Sequence, residues 1–340
     1  MASSRNIGLD YLRGLAILIV LFNHGLIGFF FSTSRLKMEG AIVSISAASV
    51  ISIEWLFVLS GFLIGTMMIR SFDGDRGWFQ CAKDFWLRRW FRTLPNYYLF
   101  VFLNVLLSAY GISEGAFEFS HLIFSQNLAL PEKTPVFFGE AWSLALDEWF
   151  YVLMPLLIGC LFFFSISRKI SFLVVSCILI ILPTIGRFLH DAPADFFQWD
   201  AHIRRITIYH LDATGWGVFA ASINKWGVDW WRRNTVRKAF AGLILMAAGL
   251  FFVVGLLHPE WMNETAYRFG NSFSITLMAG GTFLLLPWLT SLKAAWKSTD
   301  WFIGKLSAFS YSIYLVHFPL IFILKFFLEI DRGSSGAYVL

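Results

Sequence analysis

Long apolar stretches dominate the chain from end to end, and each is close to the length that crosses a lipid bilayer. A transmembrane helix needs roughly 20 mostly apolar residues. The stretches lie near residues 7–31, 44–69, 93–110, 141–164, 170–189, 206–224, 238–257, 271–290 and 306–328. The segments between them are too short for a second folded domain. The pattern therefore predicts one all-α domain over residues 1–340, a polytopic transmembrane bundle of about nine spans.

Composition agrees with this pattern, because 57% of the residues are hydrophobic and only 14% are charged, whereas soluble proteins have about 25% charged residues. Such a chain needs the lipid bilayer as its solvent. The formal charge is +5, but the basic residues are scattered between apolar stretches. That scatter indicates membrane topology and argues against nucleic-acid binding. The histidines and cysteines show no HExxH or CxxC spacing, so we expect no metal site.

The charges between the apolar stretches predict the orientation. With the N-terminus in the cytoplasm, the inner segments carry 17 basic and 5 acidic residues, and the outer segments carry 8 basic and 12 acidic residues. Because inner loops of membrane proteins are enriched in Lys and Arg, we expect a multi-pass protein of the inner (plasma) membrane. At the end of the chain, the apolar residues Ala337–Leu340 predict the start of a tenth helix that this chain does not complete.

A few charged residues lie inside the predicted spans, where insertion costs at least ~2.5 kcal/mol each. They should face the bundle interior or a wet cavity, and each is a candidate for function. They are Asp10, Arg13, Glu54, Asp147, Glu148, Asp212 and Lys325.

The first span combines several of these features. Arg13 and His24 are separated by nearly three full helical turns, which places both on one helix face about 17 Å apart. Asp10 lies one turn before Arg13 and can pair with it. His24 is a candidate catalytic group, or a core histidine bonded to a neighbouring helix. The Asp10–Arg13 pair has either a structural or a ligand-binding role.

A basic segment precedes the third span and contains Arg89 and Arg92. In a helix these two residues share a face, and two adjacent guanidinium groups suit phosphate oxygens. The alternative is that they set topology and contact anionic lipid headgroups.

The fourth span enters from the outside and carries Glu148 about 12 Å in from Glu140. His24 also lies in the outer half of its span, so we expect the two side chains to meet. A carboxylate beside an imidazole orients it and raises its basicity. In the last span, His317 either bonds across helices or lines a cavity.

Six motifs in this order resemble the acyltransferase-3 family of integral membrane O-acyltransferases, typified by bacterial polysaccharide O-acetyltransferases. The first is an Arg-x10-His pattern formed by Arg13 and His24. The others are Ser60-Gly61-Phe62, Arg89-Trp90-Phe91-Arg92, Trp142-Ser143-Leu144 with Glu148 and Tyr151, Leu211-Asp212-Ala213, and Tyr311–His317.

This resemblance implies acyl-coenzyme A, with acetyl as the default acyl group, as a donor substrate from the cytoplasm, and a glycan or glycolipid as the acceptor. His24 would be the general base and Glu148 its orienting partner. Arg13, Arg89 and Arg92 would bind the phosphates of the donor. Supporting roles fall to Asp10, Ser143, Tyr151 and Asp212, with Asn23, Ser143 and Tyr151 as oxyanion donors.

Two other functions also account for buried charges in a helix bundle. A multi-span transporter is one, although the sequence shows no inverted repeat. A non-catalytic membrane receptor for lipid or glycan is the other. The oligomeric state and the choice between direct transfer and an acyl-histidine intermediate stay open.

Overall fold

A computed structural model describes residues 6–25, 39–74, 76–191, 193–293 and 297–332, and these residues form helices and their connections, with no strand among them. The connection between residues 109 and 141 is long and contains one 3-10 turn, Phe119–Ile123. The helices are α1 (Ile7–Leu21), α2 (Glu39–Ser71), α3 (Trp78–Ala109), α4 (Ala141–Phe163), α5 (Arg168–Leu189), α6 (Phe196–Trp199), α7 (Thr207–His210), α8 (Asp212–Trp226), α9 (Val228–Arg232), α10 (Thr235–Leu257), α11 (Glu264–Ser291) and α12 (Lys297–Arg332). The all-α prediction is confirmed.

Within the described ranges, seven helical segments are long and apolar enough to cross a membrane. They are Ile7–Gly25, Ser49–Ser71, Ala141–Phe163, Arg168–Leu189, Thr235–Leu257, Glu264–Ser291 and Ser298–Leu328. Each coincides with one of the predicted spans, so the polytopic bundle is confirmed. The predicted span at 93–110 lies within α3, and the one at 206–224 is divided between α7 and α8. The total of nine therefore stays a prediction.

α3 lies antiparallel beside α4. The indole Nε1 of Trp78 donates to the Pro155 carbonyl at 2.9 Å, and that of Trp86 donates to the Tyr151 carbonyl at 2.9 Å. Trp86 lies about two helical turns after Trp78 on α3, yet its indole reaches a residue that comes earlier on α4. This packing places the basic face of α3 next to the polar residues of α4.

α2 and α8 cross at very short distance because glycines lie on both sides of the contact. A Cβ on Gly61 would lie 2.1 Å from the Thr214 carbonyl oxygen, and one on Gly217 would lie 2.2 Å from the Val58 carbonyl oxygen. Small residues at such contacts let helix backbones pack where lipid provides no hydrophobic driving force.

α1 packs against α2, α11 and α12. Its first turn is capped by the Asn6 side chain, which accepts from the Leu9 amide at 3.2 Å. Residues 22–25 continue the helix as a π-helical turn that contains His24, and such turns are frequent at functional sites. The contact between α1 and α12 sets the position of the candidate site. The predicted start of a tenth helix at Ala337–Leu340 lies outside the described residues.

Candidate active site

Two histidines from opposite ends of the chain meet at the contact between α1 and α12. His24 Nδ1 lies 3.0 Å from His317 Nε2, and the two ring planes differ by only 12°. The Phe318 ring covers both imidazoles, with centroid distances of 4.8 Å to His24 and 4.5 Å to His317. We call His24 and His317 the imidazole pair.

The imidazole pair is anchored to α4 through Tyr314. His317 Nδ1 lies 2.5 Å from the Tyr314 carbonyl oxygen, and the Tyr314 hydroxyl lies 2.8 Å from Ser143 Oγ. Ser143 Oγ donates to the Glu140 carbonyl at 3.0 Å, so the Tyr314 hydroxyl donates to Ser143. Because the Ser143 proton is already used, this side chain supports the imidazole pair rather than offering a free oxyanion donor.

The arginines predicted to bind phosphate are brought together by α1 and α3. The positive charges of Arg89 and Arg92 both act on the Arg13 guanidinium. Arg13 and Arg89 are half-buried, whereas Arg92 is exposed. We call Arg13, Arg89 and Arg92 the arginine group. It combines one solvated and two partly desolvated guanidinium groups, which suits a multiply charged anion entering from one side.

Two carboxylates of α4 lie with the arginine group. Glu148 Oε1 accepts from Thr93 Oγ1 at 2.8 Å, and Asp147 Oδ1 accepts from Ser60 Oγ at 3.0 Å. The charges of both carboxylates act on Arg89. They balance part of the positive charge that three guanidinium groups would otherwise concentrate in the bundle.

This placement corrects the expected meeting of Glu148 and His24, because His317 holds the position beside His24. The physical reason is depth in the bundle. Ser143 contacts Tyr314 on the helix that carries His317, and Glu148 lies five residues further along α4, which is about 7.5 Å by helical rise.

The remaining predicted residues are divided between the arginine group and the scaffold. The Tyr151 ring lies beneath Arg89, with 5.6 Å between the guanidinium carbon and the ring centroid, so Tyr151 also lies away from the imidazole pair. Asp10 accepts from Ser307 Oγ at 2.7 Å, and its charge acts on Arg13.

Asp212 has a structural position. Its Oδ2 pairs with Arg187 at 2.7 Å in a fully buried ion pair that also contacts Thr276. The pair joins α5, α8 and α11. Arg187 was not among the charged residues predicted to lie inside the spans, but the structure buries it at 1% exposure within α5. Asp212 therefore takes part in helix packing, and its supporting role for the reacting groups stays a prediction.

The π-helical segment Asp200–Arg204 contributes charges that sequence reasoning missed. The charges of Arg204, Arg205 and Asp200 act on the His24 imidazole. Burial raises the pKa of Asp200, but the guanidinium groups of Arg204 and Arg205 outweigh it and hold this pKa below its ordinary value. The Arg204 guanidinium also lies over Trp142, 4.8 Å from the ring centroid. The spacing of residues along the sequence did not indicate that this segment lies near His24.

Another buried histidine, His210, holds this segment in place. His210 Nε2 lies 2.8 Å from Glu54 Oε1, and His210 Nδ1 lies 2.5 Å from the Arg204 carbonyl oxygen. The His210 ring is stacked on Trp142. Glu54 was a candidate because of its charge in a span, but only the fold identified His210 as its partner.

Buried oxygens without a hydrogen-bond partner in the described part of the chain surround the start of α4. They include Gln126 Oε1, Asn127 Oδ1 and both carboxylate oxygens of Glu140. The amide nitrogens of Gln126 and Asn127 donate to the carbonyls of Ala141 and Trp142, which fixes the side-chain oxygens as the unpaired atoms. Burial raises the pKa of Glu140 well above its ordinary value. These oxygens can accept hydrogen bonds from a ligand rich in hydroxyl groups.

Comparison with known proteins gives several matches and no matching solved structure. The chain is 24% identical to "Putative peptidoglycan O-acetyltransferase YrhL" of Bacillus subtilis, over 92% of this chain and 48% of that protein. It is also 24% identical to "Putative O-acetyltransferase SACOL0978" of Staphylococcus aureus, over 98% of this chain and 53% of that protein. "Regulator of hypoxia-inducible factor 1" of Caenorhabditis elegans is 23% identical, over 98% of this chain and 74% of that protein.

The chain thus spans about half the length of the two bacterial relatives. The family described as "Acyltransferase domain" matches residues 6–336, which is nearly the whole chain. The match includes both the imidazole pair and the arginine group. The chain therefore belongs to the acyltransferase-3 family.

Proposed function

We propose that this chain is a membrane O-acyltransferase that moves an acyl group, acetyl by default, from acyl-coenzyme A to a hydroxyl of a cell-surface or periplasmic glycan. The observation that carries the proposal is the arrangement along α1. Arg13 belongs to the arginine group and His24 to the imidazole pair, so one helix joins an anion-binding region to a proton acceptor.

The arginine group supports a donor that carries phosphates. Coenzyme A has several phosphate groups at one end and its thioester at the end of a long, narrow pantetheine arm. The separation of Arg13 and His24 is about 17 Å by helical rise, a distance that such an extended arm is suited to cross. In the proposed orientation, with the N-terminus in the cytoplasm, the arginine group lies on the side where acyl-coenzyme A is made.

The unpaired oxygens at the start of α4 support a hydroxyl-rich acceptor. The unpaired side-chain oxygens of Gln126 and Asn127 can accept hydrogen bonds from hydroxyl groups. The buried Glu140 carboxyl, whose pKa is raised, can both donate a hydrogen bond to a hydroxyl group and accept one from it. The names of the two bacterial relatives, which describe O-acetyltransferases, agree with a hydroxyl group as the acceptor.

In the proposed reaction, His24 accepts the proton of the acceptor hydroxyl as that oxygen attacks the thioester carbonyl. The new carbon–oxygen bond replaces the carbon–sulfur bond, and the leaving coenzyme A thiolate takes the proton from His24. Glu148, placed with the arginine group, holds Thr93 and faces the charge of Arg89. An alternative route passes through an acyl-histidine, in which His24 itself attacks the thioester.

The test uses membranes that contain the protein and radioactive acetyl-coenzyme A. The wild type should label a membrane or envelope glycan, and His24→Ala should lose labelling by about 10²–10⁴-fold, the usual contribution of a general base. His258→Ala, which alters a partly exposed outer histidine paired with Glu260, is the matched control and should label normally. Equal labelling by His24→Ala and the wild type would overturn the proposal.

A further inference from the structure

We propose that His317 is a positioning residue that fixes the tautomer of His24, so that Nδ1 of His24 carries the hydrogen and Nε2 presents the lone pair. The consequence for catalysis rests on the proposed function, but the tautomer itself is a property of the folded chain. Donor and acceptor roles can be assigned to each atom in the series of hydrogen bonds from the Tyr314 carbonyl through His317 to His24.

The first atom of this series, the Tyr314 carbonyl oxygen, has only one possible role. A carbonyl oxygen only accepts hydrogen bonds, so the contact of 2.5 Å between the Tyr314 carbonyl and His317 Nδ1 requires the hydrogen to be on Nδ1. A neutral imidazole carries one hydrogen. His317 Nε2 therefore has a lone pair and acts as an acceptor in the neutral pair.

The same reasoning then assigns His24. Its Nδ1 lies 3.0 Å from His317 Nε2, so Nδ1 must be the donor in that hydrogen bond. The single hydrogen of neutral His24 is thereby placed on Nδ1, and Nε2 is left with its lone pair. Only this nitrogen can take a proton from a hydroxyl group.

The surroundings keep both rings in this arrangement. The small angle between the ring planes, 12°, suits a hydrogen bond that lies in the plane of both imidazoles. Phe318 packs against both rings and hinders a ring flip. The hydroxyl of Tyr314 is held by Ser143, which ties the segment that bears His317 to α4.

His317 thus takes the place that a carboxylate has in a Ser-His-Asp triad. When His24 accepts the hydroxyl proton on Nε2, its Nδ1–H stays bonded to a neutral acceptor, which stabilises the resulting imidazolium. A neutral partner stabilises this charge less than a carboxylate would. It also avoids an unpaired negative charge among the spans before the reaction begins.

The direct test is the tautomer of His24 in the full chain, read by nitrogen NMR of ¹⁵N-histidine-labelled protein in lipid nanodiscs. The His24 signals are assigned by their loss in His24→Ala. We expect a protonated Nδ1 and an unprotonated Nε2 in the wild type. In His317→Leu the preference should be lost and Nε2–H should become populated. A wild-type His24 with its hydrogen on Nε2 would overturn the inference.

Activity provides the second readout. His317→Leu should reduce kcat on the order of 100-fold while KM for acetyl-coenzyme A changes less than about twofold. His317→Gln retains an amide oxygen that can accept from Nδ1–H, so it should recover part of the rate. A purely structural role would give equal losses in both variants. If either variant fails to fold, the wild-type NMR result decides alone.

The two proposals fail separately. The expected tautomer without any acyl transfer would leave this inference intact and contradict the proposed function. Acyl transfer that depends on His24, together with hydrogen on Nε2, would support the proposed function and contradict the inference.

Discussion

At the scale of single residues, side chains of the same type have different roles according to their neighbours. Arg89 lies beside carboxylates and over the Tyr151 ring at the edge of the bundle. Arg187 is fully buried in an ion pair with Asp212. Removing one partner of such a buried pair typically costs about 3–5 kcal/mol because the other charge is left uncompensated. Arg89 is therefore available to a ligand, whereas Arg187 stabilises the packing of the helices.

Arg89 should contribute to donor binding. We expect Arg89→Ala to raise KM for acetyl-coenzyme A roughly 10-fold or more, since charge-assisted hydrogen bonds are worth about 1.5–3 kcal/mol. Arg89→Lys should have a smaller effect because it keeps the positive charge. It should still differ from the wild type because it loses the planar guanidinium group that donates two parallel hydrogen bonds. The matched control is Arg88→Ala, which alters the exposed neighbour whose Nε donates to the Asp84 carbonyl.

A donor that lacks a phosphate makes this measurement more specific. Acetyl-dephospho-coenzyme A should bind the wild type less tightly, and the difference between the two donors should shrink in Arg89→Ala if they interact directly. An unchanged KM in Arg89→Ala would instead assign Arg89 to anionic lipid or to topology.

At the scale of helices, the crossing of α2 and α8 depends on glycine. The atoms nearest to an added Cβ at Gly217 are backbone atoms of α2, the closest being the Val58 carbonyl oxygen. Backbone atoms cannot rotate aside as a side chain can, so any larger residue must separate the two helices. Since α8 follows the segment that carries Arg204 and Arg205, this crossing also supports the surroundings of His24.

Gly217→Leu should therefore destabilise the protein. Overpacking usually costs about 1–3 kcal/mol, and we expect at least this much, seen as a lower melting temperature in detergent and a lower yield of monodisperse protein. Gly77→Ala provides the control, because a Cβ at that position meets no atom within 4 Å. A normal melting temperature for Gly217→Leu would contradict the close crossing described here.

At the scale of the whole molecule, the proposed function depends on orientation. The arginine group must be accessible from the cytoplasm and the acceptor from outside, because the two substrates are made or displayed on opposite sides. The distribution of Lys and Arg predicts this orientation. In this predicted orientation Lys133, which is 82% exposed, would lie in an outer segment, and the exposed Lys293 would lie in an inner one.

Cysteine labelling tests the orientation. In a variant without Cys81, Cys160 and Cys177, a membrane-impermeant maleimide should label Lys133→Cys in intact spheroplasts. Lys293→Cys should be labelled only after the membrane is broken. Retained acyl transfer in each variant is the control for correct folding. The reverse labelling pattern would contradict both the orientation and the route proposed for the donor.

The sequence predicted those properties that depend on local physics. Length and hydropathy predicted the seven long apolar helical segments found among the described residues, because every segment must satisfy its own backbone within lipid. Helical periodicity predicts that Arg13 and His24 share one helix face, but the structure ends α1 at Leu21 and places His24 in the π-helical turn that follows, so the shared face stays a prediction. The motif pattern also indicated the family to which the chain belongs.

Tertiary structure decided which side chains become neighbours. His317 is 293 residues from His24 in sequence, and its contact with His24 depends on the rotation and depth of α12 against α1. The same geometry places Glu148 with the arginine group and buries Arg187 against Asp212. Helix rotation and lateral packing are set by the summed contacts of many residues in several helices, so no spacing within one segment encodes them. The sequence by itself therefore determined the helices and the groups available for chemistry, and only the packing of the helices decided which of those groups meet.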